Sequence, residues 1–260
     1  MRYAKQSFEI IEQGDGYEAM LRHIERCARV SYKSEDRITD TSAAPFVQRL
    51  IDRGHLAALE HGTLYLALPP ELDIPVTNSP WLFRHIIHTR HAINITTNYR
   101  TVMEAFGNID LKPYICPYKR ETFIKRVSVR LVTNRAVANE FVRHRTFSFM
   151  QESTRWVNYA KGIHGGQLTF IVPDVGEKAQ QVWQDAMFVA EKAYNGLIRE
   201  CGLRPEEARG VLPLDTKTEL IMTGAMPDWE AFFKLRCAPD AHPQARELAR
   251  ALQHCLWEEM

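Results

Sequence analysis

The densest set of chemically useful side chains lies between residues 143 and 155, which read Arg-His-Arg-Thr-Phe-Ser-Phe-Met-Gln-Glu-Ser-Thr-Arg. Arginine binds phosphate or carboxylate through a planar fork of donors and keeps its charge beside apolar surface. The hydroxyls of Ser153 and Thr154 add donors, and a helix beginning near Ser153 would add backbone N–H groups. Gln151 can both donate and accept at the edge of a pyrimidine ring. This combination predicts a site for a small phosphorylated molecule.

Positive charge is concentrated around the same segment. Between Lys119 and Arg155 there are nine Lys or Arg residues and three acidic ones, whereas the whole chain carries only +1. A local excess in a near-neutral protein suits one or two phosphates better than a nucleic-acid groove. Two alternatives stay open at this point. One is a solvated basic face, and the other is a nucleic-acid-binding module whose affinity would fall steeply with salt.

Residues 143–155 also fit the pattern R-H-R-x-x-S-x-x-x-x-S-x-R, and further segments accompany it in the chain. These are Ala28-Arg29-Val30-Ser31, Gly54-His55 with Leu59-Glu60-His61, Ala208-Arg209-Gly210-Val211-Leu212-Pro213, and Leu235-Arg236 with His242-Pro243-Gln244. In this order, from about residue 28 to residue 250, the chain resembles the flavin-dependent thymidylate synthases. Shared ancestry does not by itself fix the chemistry.

The resemblance implies reductive methylation of dUMP at C5 to dTMP, with methylenetetrahydrofolate as one-carbon donor, FAD as cofactor and NADPH as reductant. It implies that Arg236 is the catalytic cation beside the N3–C4=O edge of uracil, where it would stabilise negative charge on the ring. The implied nucleotide contacts are Glu140, Arg143, Gln151, Ser153, Thr154, Arg155, Arg209 and Arg236. The implied flavin contacts are His55, Glu60, Arg143, His144, Arg145 and Gln151.

The resemblance also implies a homotetramer with active sites at the subunit junctions. No metal site is expected, because His85, His88 and His91 have no carboxylate near them in sequence and would not converge on one helix face. Neither nucleic acid nor a membrane is an expected partner.

Several positions depart from the family pattern, and most fall on the flavin side. Ala225-Met226-Pro227 stands where relatives carry Asn-x-Arg, and Ala231 replaces a later Asn or His. Each lost contact removes about 1 kcal/mol unless it is replaced. On the nucleotide side, Glu140 occupies a position that is commonly neutral. The sequence therefore predicts weak FAD binding, and the alternative is a divergent homologue that modifies another pyrimidine nucleotide or uses flavin poorly.

Hydrophobic periodicity predicts the elements that must hold these residues. Helices are expected over about 17–30, after a Ser42 cap to Gly54, from Thr133 or Asn134 to about Arg145, over 175–201, from Pro205, over 229–236 and over 244–257. Strands are expected over 63–68, 127–132, 168–172 and 218–223. Residues 69–126 look like an irregular insertion with short helices around 81–91. The pattern predicts an α+β fold in one catalytic domain over 1–260.

Composition narrows the remaining possibilities. No apolar run approaches the ~18 residues of a membrane span, and the first ten residues lack the apolar core of a secretory signal. Five cysteines without a C-x-x-C pair exclude a zinc ribbon and disfavour a disulfide framework. We therefore expect a cytoplasmic protein.

Overall fold

The computed structural model describes residues 1–72, 85–106 and 110–258. Helices and strands are mixed along the chain, which confirms the α+β prediction. The strands of the described residues are β1 Arg2–Ala4, β2 Ser7–Ile11, β3 Thr63–Leu68, β4 His85–His88, β5 Ile93–Asn98, β6 Arg126–Asn134, β7 Ser148–Gln151, β8 Thr169–Ile171 and β9 Lys217–Ala225. The α-helices are α1 Gly16–Arg29, α2 Ala43–Asp52, α3 Tyr99–Phe106, α4 Arg135–Phe141, α5 Glu177–Arg199, α6 Pro205–Ala208, α7 Met226–Arg236 and α8 Pro243–Glu258.

A four-stranded sheet in the order β2-β6-β9-β7 organises the molecule, and each neighbouring pair is antiparallel. Strand β9 reads KTELIMTGA and is buried from Thr218 onward, as expected for a strand covered on both faces. One of its faces packs on an apolar cluster from α4, α7 and α8. Trp229, Phe232 and Phe233 fill this cluster and are almost fully buried. The sheet therefore fixes where α7 begins and where its far end lies.

The helix predicted from Thr133 or Asn134 to about Arg145 is shorter than expected. The Asn134 side chain accepts a hydrogen bond from the Val137 N–H at 2.8 Å and so caps the first turn, as predicted. The helix ends at Phe141, whose ring is buried against Phe232 with ring centroids 4.9 Å apart. Residues 142–147 then turn toward β7. Consequently Arg143, His144 and Arg145 lie in a turn after the helix.

The insertion is mostly regular from His85 to Phe106, so the prediction of an irregular insertion was wrong there, whereas residues 110–125 are largely irregular. Strand β5 is the middle strand of a three-stranded antiparallel sheet in the order β3-β5-β4, and α3 follows it directly. The short helices predicted around 81–91 are replaced by β4 at His85–His88, and residues 81–84 lie outside the described residues. Strand β5 is difficult to predict because its buried positions include Asn94, Thr96, Thr97 and Asn98.

Two further predictions need correction. Ser42 precedes α2 but makes no capping bond; its hydroxyl donates to Glu25 Oε2 at 2.8 Å. Helix α5, predicted over 175–201, runs from Glu177 to Arg199. Tyr194 is in the core, whereas Phe188 is 57% exposed.

A chain of hydrogen bonds connects α1, the four-stranded sheet and the short helical segment that ends at His61. His23 Nε2 lies 2.8 Å from Ser128 Oγ, which lies 2.7 Å from Thr223 Oγ1. His61 Nδ1 completes the chain at 2.8 Å from Thr223 Oγ1. The pKa of His23 is lowered to about 4, mainly because the ring is buried and also because Arg26 and Arg126 are near. Burial likewise lowers the pKa of His61 to about 3, so both rings are neutral at pH 7.

The Cys27 thiol lies 3.6 Å from His23 Nε2 and is fully buried. Its core neighbours include Ile11, Val30 and Ile221.

Among the described residues, no helix is long and apolar enough to cross a membrane.

Candidate functional site

An open groove of about 580 Å³ lies at the end of α7. Its walls come from the end of α4, the turn that follows it, and the loop between α7 and α8. We call it the arginine groove; it is lined by Glu140, Arg143, His144, Leu235, Arg236, Asp240, Ala241 and His242. The apolar cluster beneath it fixes both helix ends, so residues far apart in sequence meet here.

Arg236 is already paired in the arginine groove. Its Nη1 lies 2.6 Å from Glu140 Oε2, and its Nη2 donates to the Glu140 backbone carbonyl at 2.6 Å. Burial lowers the pKa of the Arg236 guanidinium, and the Glu140 carboxylate opposes that shift. The guanidinium remains charged, but the carboxylate neutralises its field toward the groove. A ligand that needs this cation must therefore compete with Glu140.

His144 holds the third side of the Arg236 guanidinium. Arg236 Nε donates to His144 Nε2 at 2.9 Å. Burial, followed by the adjacent Arg236 charge, lowers the pKa of His144 to about 4. The ring is therefore neutral at pH 7. Since Nε2 accepts this bond, the ring proton resides on Nδ1.

The two arginines beside His144 differ from Arg236. Arg143 and Arg145 are exposed, and within the described part of the chain neither side chain has a hydrogen bond or ion pair. Arg143 lines the arginine groove. An unpaired guanidinium suits phosphate oxygens, which it can bind in a bidentate manner; Arg145 does not itself line the groove. These two residues fit the phosphates of a nucleotide or of a dinucleotide cofactor.

The second half of the signature lies elsewhere on the protomer. None of Gln151, Ser153, Thr154, Arg155 and Arg209 lines the arginine groove. Gln151 Nε2 donates to Thr218 Oγ1 at 3.3 Å, near the start of β9, whereas α7 leaves the opposite end of that strand. Arg155 Nε pairs with Glu206 Oε2 at 2.7 Å, and exposed Arg209 follows α6. We call these five residues the signature end.

The helix predicted to begin near Ser153 is not present. Residues 154–156 form a turn instead, in which the Ser153 hydroxyl accepts from the Arg155 N–H at 3.2 Å. Thr154 is buried, so its side chain is less accessible than the prediction requires. The prediction that a helix start near Ser153 adds backbone N–H groups to a phosphate cradle was therefore wrong.

A buried ionic network holds the signature end in place. Glu152 is 1% exposed, and it accepts from the Tyr159 hydroxyl at 2.8 Å and from Lys217 Nζ at 3.1 Å. Glu219 pairs with Lys33, Lys217 and Arg130. Burial alone would raise the pKa of Glu219, but Lys217 and Lys33 hold it at about 2. The Glu219 carboxylate therefore stays charged at pH 7, and the network anchors Glu152, the residue after Gln151.

The predicted flavin contacts His55 and Glu60 form a third group. Neither lines the arginine groove. Glu60 Oε1 lies 2.7 Å from Arg100 Nη1, at the start of α3 in the insertion. Arg126 Nη2 donates to the Glu60 backbone carbonyl at 3.1 Å. The insertion thus holds Glu60 in place, and this contact was not predicted, because it follows from the pairing of β3 with β5.

The departures at the start of α7 are visible in the structure. Ala225 is the residue before the helix, and its N–H donates to Asp228 Oδ2 at 3.1 Å. Pro227 fits the first turn because an N–H there has no partner within the helix. A hollow of about 480 Å³ separates Pro227 and Glu230 from the end of the insertion, residues Tyr118 to Lys125. No side chain at 225 or 227 can donate a hydrogen bond into it.

Asp240 and His242 also line the arginine groove, and neither was proposed as a site residue. His242 lies in the matched His242-Pro243-Gln244 segment, which was the available signal. Gln244 has a structural role in the protomer: its Oε1 accepts from Asn134 Nδ2 at 2.9 Å.

Comparison with known proteins gives a consistent result. The family model described as thymidylate synthase complementing protein matches residues 118–260. A flavin-dependent thymidylate synthase of Geobacter sulfurreducens is 35% identical over 119 residues, which cover 45% of this chain and 49% of that protein. A flavin-dependent thymidylate synthase of Synechocystis sp. is 29% identical over 143 residues, covering 48% and 63%. Another, of Pyrococcus abyssi, is 26% identical over 143 residues, covering 53% and 57%.

This chain therefore spans about half to just under two thirds of the length of these relatives. The matched region contains the arginine groove and the signature end, whereas His55, Glu60 and the three-stranded sheet of the insertion precede it. A family model that covers residues 118–260, over half of the chain, is sufficient to assign it. The chain belongs to the thymidylate synthase complementing protein family.

Proposed function

We propose that this protein methylates dUMP reductively at C5 to give dTMP, using methylenetetrahydrofolate, FAD and NADPH. The observation that carries the proposal is the arginine groove, where a partly buried guanidinium is held between a carboxylate and a neutral histidine. The family assignment and the similarity to flavin-dependent thymidylate synthases support the same reaction. We extend the proposal to residues 1–260 acting as one catalytic domain.

In this proposal Arg236 acts at the pyrimidine ring. Carbon C5 becomes nucleophilic when negative charge can build on the ring, and a cation fixed beside N3–C4=O stabilises that charge. His144 keeps the guanidinium oriented without adding a competing charge, because its ring is neutral. Glu140 must release at least one Arg236 N–H when the ring binds, since two of the guanidinium nitrogens now face Glu140.

Arg143 and Arg145 would hold phosphate groups of the nucleotide and of FAD. Both are exposed and unpaired in the described structure, so no ion pair has to break first. When bound, FAD supplies hydride transfer between the reductant and the one-carbon unit. At the hollow beside Pro227, positions 225 and 227 carry no side-chain donor, whereas Tyr118, Arg120 and Lys125 line its opposite wall. FAD affinity would then depend on the residues around His144 and on that opposite wall.

The separation of the arginine groove from the signature end supports the proposed homotetramer. Gln151, Ser153, Arg155 and Arg209 are matched nucleotide contacts, yet they do not line the groove that contains Arg236. We propose that the signature end of one subunit completes the arginine groove of another. Each active site would then contain Arg236 from one copy and Arg155 from a second.

The test uses the full chain supplied with FAD, NADPH, methylenetetrahydrofolate and dUMP labelled with tritium at C5. The expected result is tritium release together with dTMP formation. Arg236→Ala should abolish both, whereas Arg22→Ala, which removes an exposed arginine on α1, should change neither. Tritium release by Arg236→Ala at the native rate would disprove the role of Arg236. Absence of dTMP with the native chain would disprove the reaction.

A further inference from the structure

Among the residues that the structure describes, none covers one apolar face of the long helix α5. Its opposite face packs in the core through Met187, Tyr194 and Ile198. On the outer face Val182 is 67% exposed and Val189 is 64% exposed. Isolated exposed apolar side chains are ordinary on a protein surface, but a continuous apolar face is typical of an interaction site.

The spacing of the outer face shows that it is a continuous seam. Ala179, Val182, Ala186, Val189, Ala193 and Gly196 follow one another at alternating steps of three and four residues. A mean step of 3.5 residues is the period at which one helix packs along another. We call these six residues the α5 seam. It runs for about 25 Å at a rise of ~1.5 Å per residue.

Side-chain sizes along the seam fit a second copy that runs antiparallel. In that arrangement Val182 lies opposite Ala193 of the other copy, and Val189 lies opposite Ala186. Each branched side chain thus faces a small one, so two backbones can approach closely without overlap. Gly196 faces Ala179 at the ends, and space around Gly196 is open, with no atom within 4 Å of an added Cβ.

The charges beside the seam favour the same arrangement. Asp185 and Lys192 flank the seam on one side, and the antiparallel pairing places each Asp185 opposite Lys192 of the other copy. A parallel pairing would place them opposite Trp183, Ala190 and Leu197 instead. Lys178 would face Arg199, but the Arg199 guanidinium is turned to its own chain, where it donates to the Ala160 carbonyl at 2.9 Å.

From these observations we propose that α5 forms a two-fold symmetric, antiparallel helix pair with α5 of a second copy of this chain. Phe188 extends the apolar contact next to Asp185 and Lys192. Such a pairing is isologous, so each favourable contact occurs twice. The interface does not depend on the catalytic activity proposed above.

Charge exchange tests the proposal on the full-length protein. Particle mass is measured by light scattering after gel filtration, and the dissociation constant is measured by sedimentation. Asp185→Lys or Lys192→Asp alone should weaken association on the order of tenfold, because two attractions become two repulsions. The double variant Asp185→Lys with Lys192→Asp should restore native association. Glu177→Lys, which makes the same charge change away from the seam, should leave association unchanged.

A second variant removes the apolar contact. Val189→Asp should halve the particle mass, while circular dichroism stays native because the residue is exposed. A native mass for Val189→Asp would overturn the proposal, as would a double charge variant that stays weak or a native protein that is monomeric. The proposed reaction can fail without affecting any of these readouts.

Discussion

At the scale of single residues, the closed pair between Arg236 and Glu140 is the main electrostatic feature of the site. A half-buried cation held by a carboxylate contributes little net charge to a ligand. The resemblance to the family implies a commonly neutral residue at the position of Glu140, where this chain carries a carboxylate. We attribute two consequences to it: nucleotide binding has to displace the carboxylate, and the arginine groove is less attractive to a phosphorylated ligand.

Glu140→Gln should therefore tighten dUMP binding. The amide keeps the size of the side chain and can still accept from Arg236, but the groove gains one unit of positive charge. We expect about tenfold tighter binding, equivalent to about 1.4 kcal/mol. Titration calorimetry of the full chain measures this, with Glu18→Gln on the exposed side of α1 as control. Unchanged or weaker binding by Glu140→Gln would mean that the carboxylate itself contacts the nucleotide favourably.

At the scale of elements, β9 connects the structural centre to the arginine groove. Gly224, one residue before its end, lies against the Phe147 ring; an added Cβ would approach Phe147 Cδ1 to 2.6 Å. Phe147 in turn packs edge-on to Trp229 and His144, with ring centroids 4.7 Å and 6.3 Å away. Thus the close approach of this strand positions the ring next to the candidate site.

Gly224→Ala should disturb stability and site together. Overpacking of this kind costs about 1–3 kcal/mol, and displacement of Phe147 should change the environment of His144. Urea unfolding measures the first effect, and the His144 ring signals in NMR measure the second. Gly176→Ala is the matched control, since nothing lies within 4 Å of an added Cβ there. Equal stabilities of the two variants would contradict the close packing of β9 on Phe147.

The histidine chain between α1, β6 and β9 makes stability depend on pH. The folded pKa values of His23 and His61, about 4 and about 3, lie below their ordinary value of 6.5. The unfolded chain thus binds more protons below pH 6.5. The stabilisation is fully present above 6.5 and is lost progressively as the pH falls toward 4, by several kcal/mol in total (order of magnitude). The low pKa of Glu219 adds to the pH dependence of the unfolding free energy only below about pH 4.5.

The measurement is the free energy of unfolding in urea between about pH 7 and about pH 4.5. His61→Asn should lower stability at neutral pH, because it alters the bond to Thr223. It should also reduce the steepness of the pH dependence by the equivalent of one proton. A native pH dependence in this variant would mean that His61 does not titrate between these limits.

The hydrophobic pattern of the sequence was sufficient to predict those strands whose buried residues alternate and those helices whose buried residues lie on one face. Strand β3 was predicted with the bounds it has, and α8 within one residue at each end. Strand β5 was missed because buried Asn and Thr residues conceal it in a hydropathy pattern. At the site, Arg236 and Glu140 are 96 residues apart; no spacing rule joins them, and only the family resemblance placed them together. Neither residue spacing nor the family resemblance predicts the Glu60–Arg100 pair, because it depends on how the insertion pairs with β3.

At the scale of the whole molecule, the matched nucleotide contacts form two separate groups on one protomer. Under the proposed assembly a monomer is inactive, because its arginine groove and its signature end lie apart and do not form one site. Mixed assemblies reveal this directly. Arg236→Ala and Arg155→Ala should each be inactive alone, because each removes one component of every site.

Co-expression of the two variants should restore activity. If subunits mix at random, about a quarter of the sites would receive an intact Arg236 from one copy and an intact Arg155 from another. Turnover of C5-labelled dUMP measures the recovered fraction. Recovery absent from co-assembled protein of confirmed mixed composition would show that both arginines serve the same site from one chain.

The buried Cys27 thiol also has a practical consequence. Burial raises its pKa to about 12, and it lies next to His23 at the centre of the fold, whereas Cys201 is exposed. Only the thiolate reacts with alkylating reagents, so Cys27 can be modified only when the centre opens. The alkylation rate of Cys27 relative to that of Cys201, followed by mass spectrometry, therefore measures how often the core opens. The measurement needs no substitution in the protein, and a ligand that stabilises the closed core should lower the alkylation rate of Cys27.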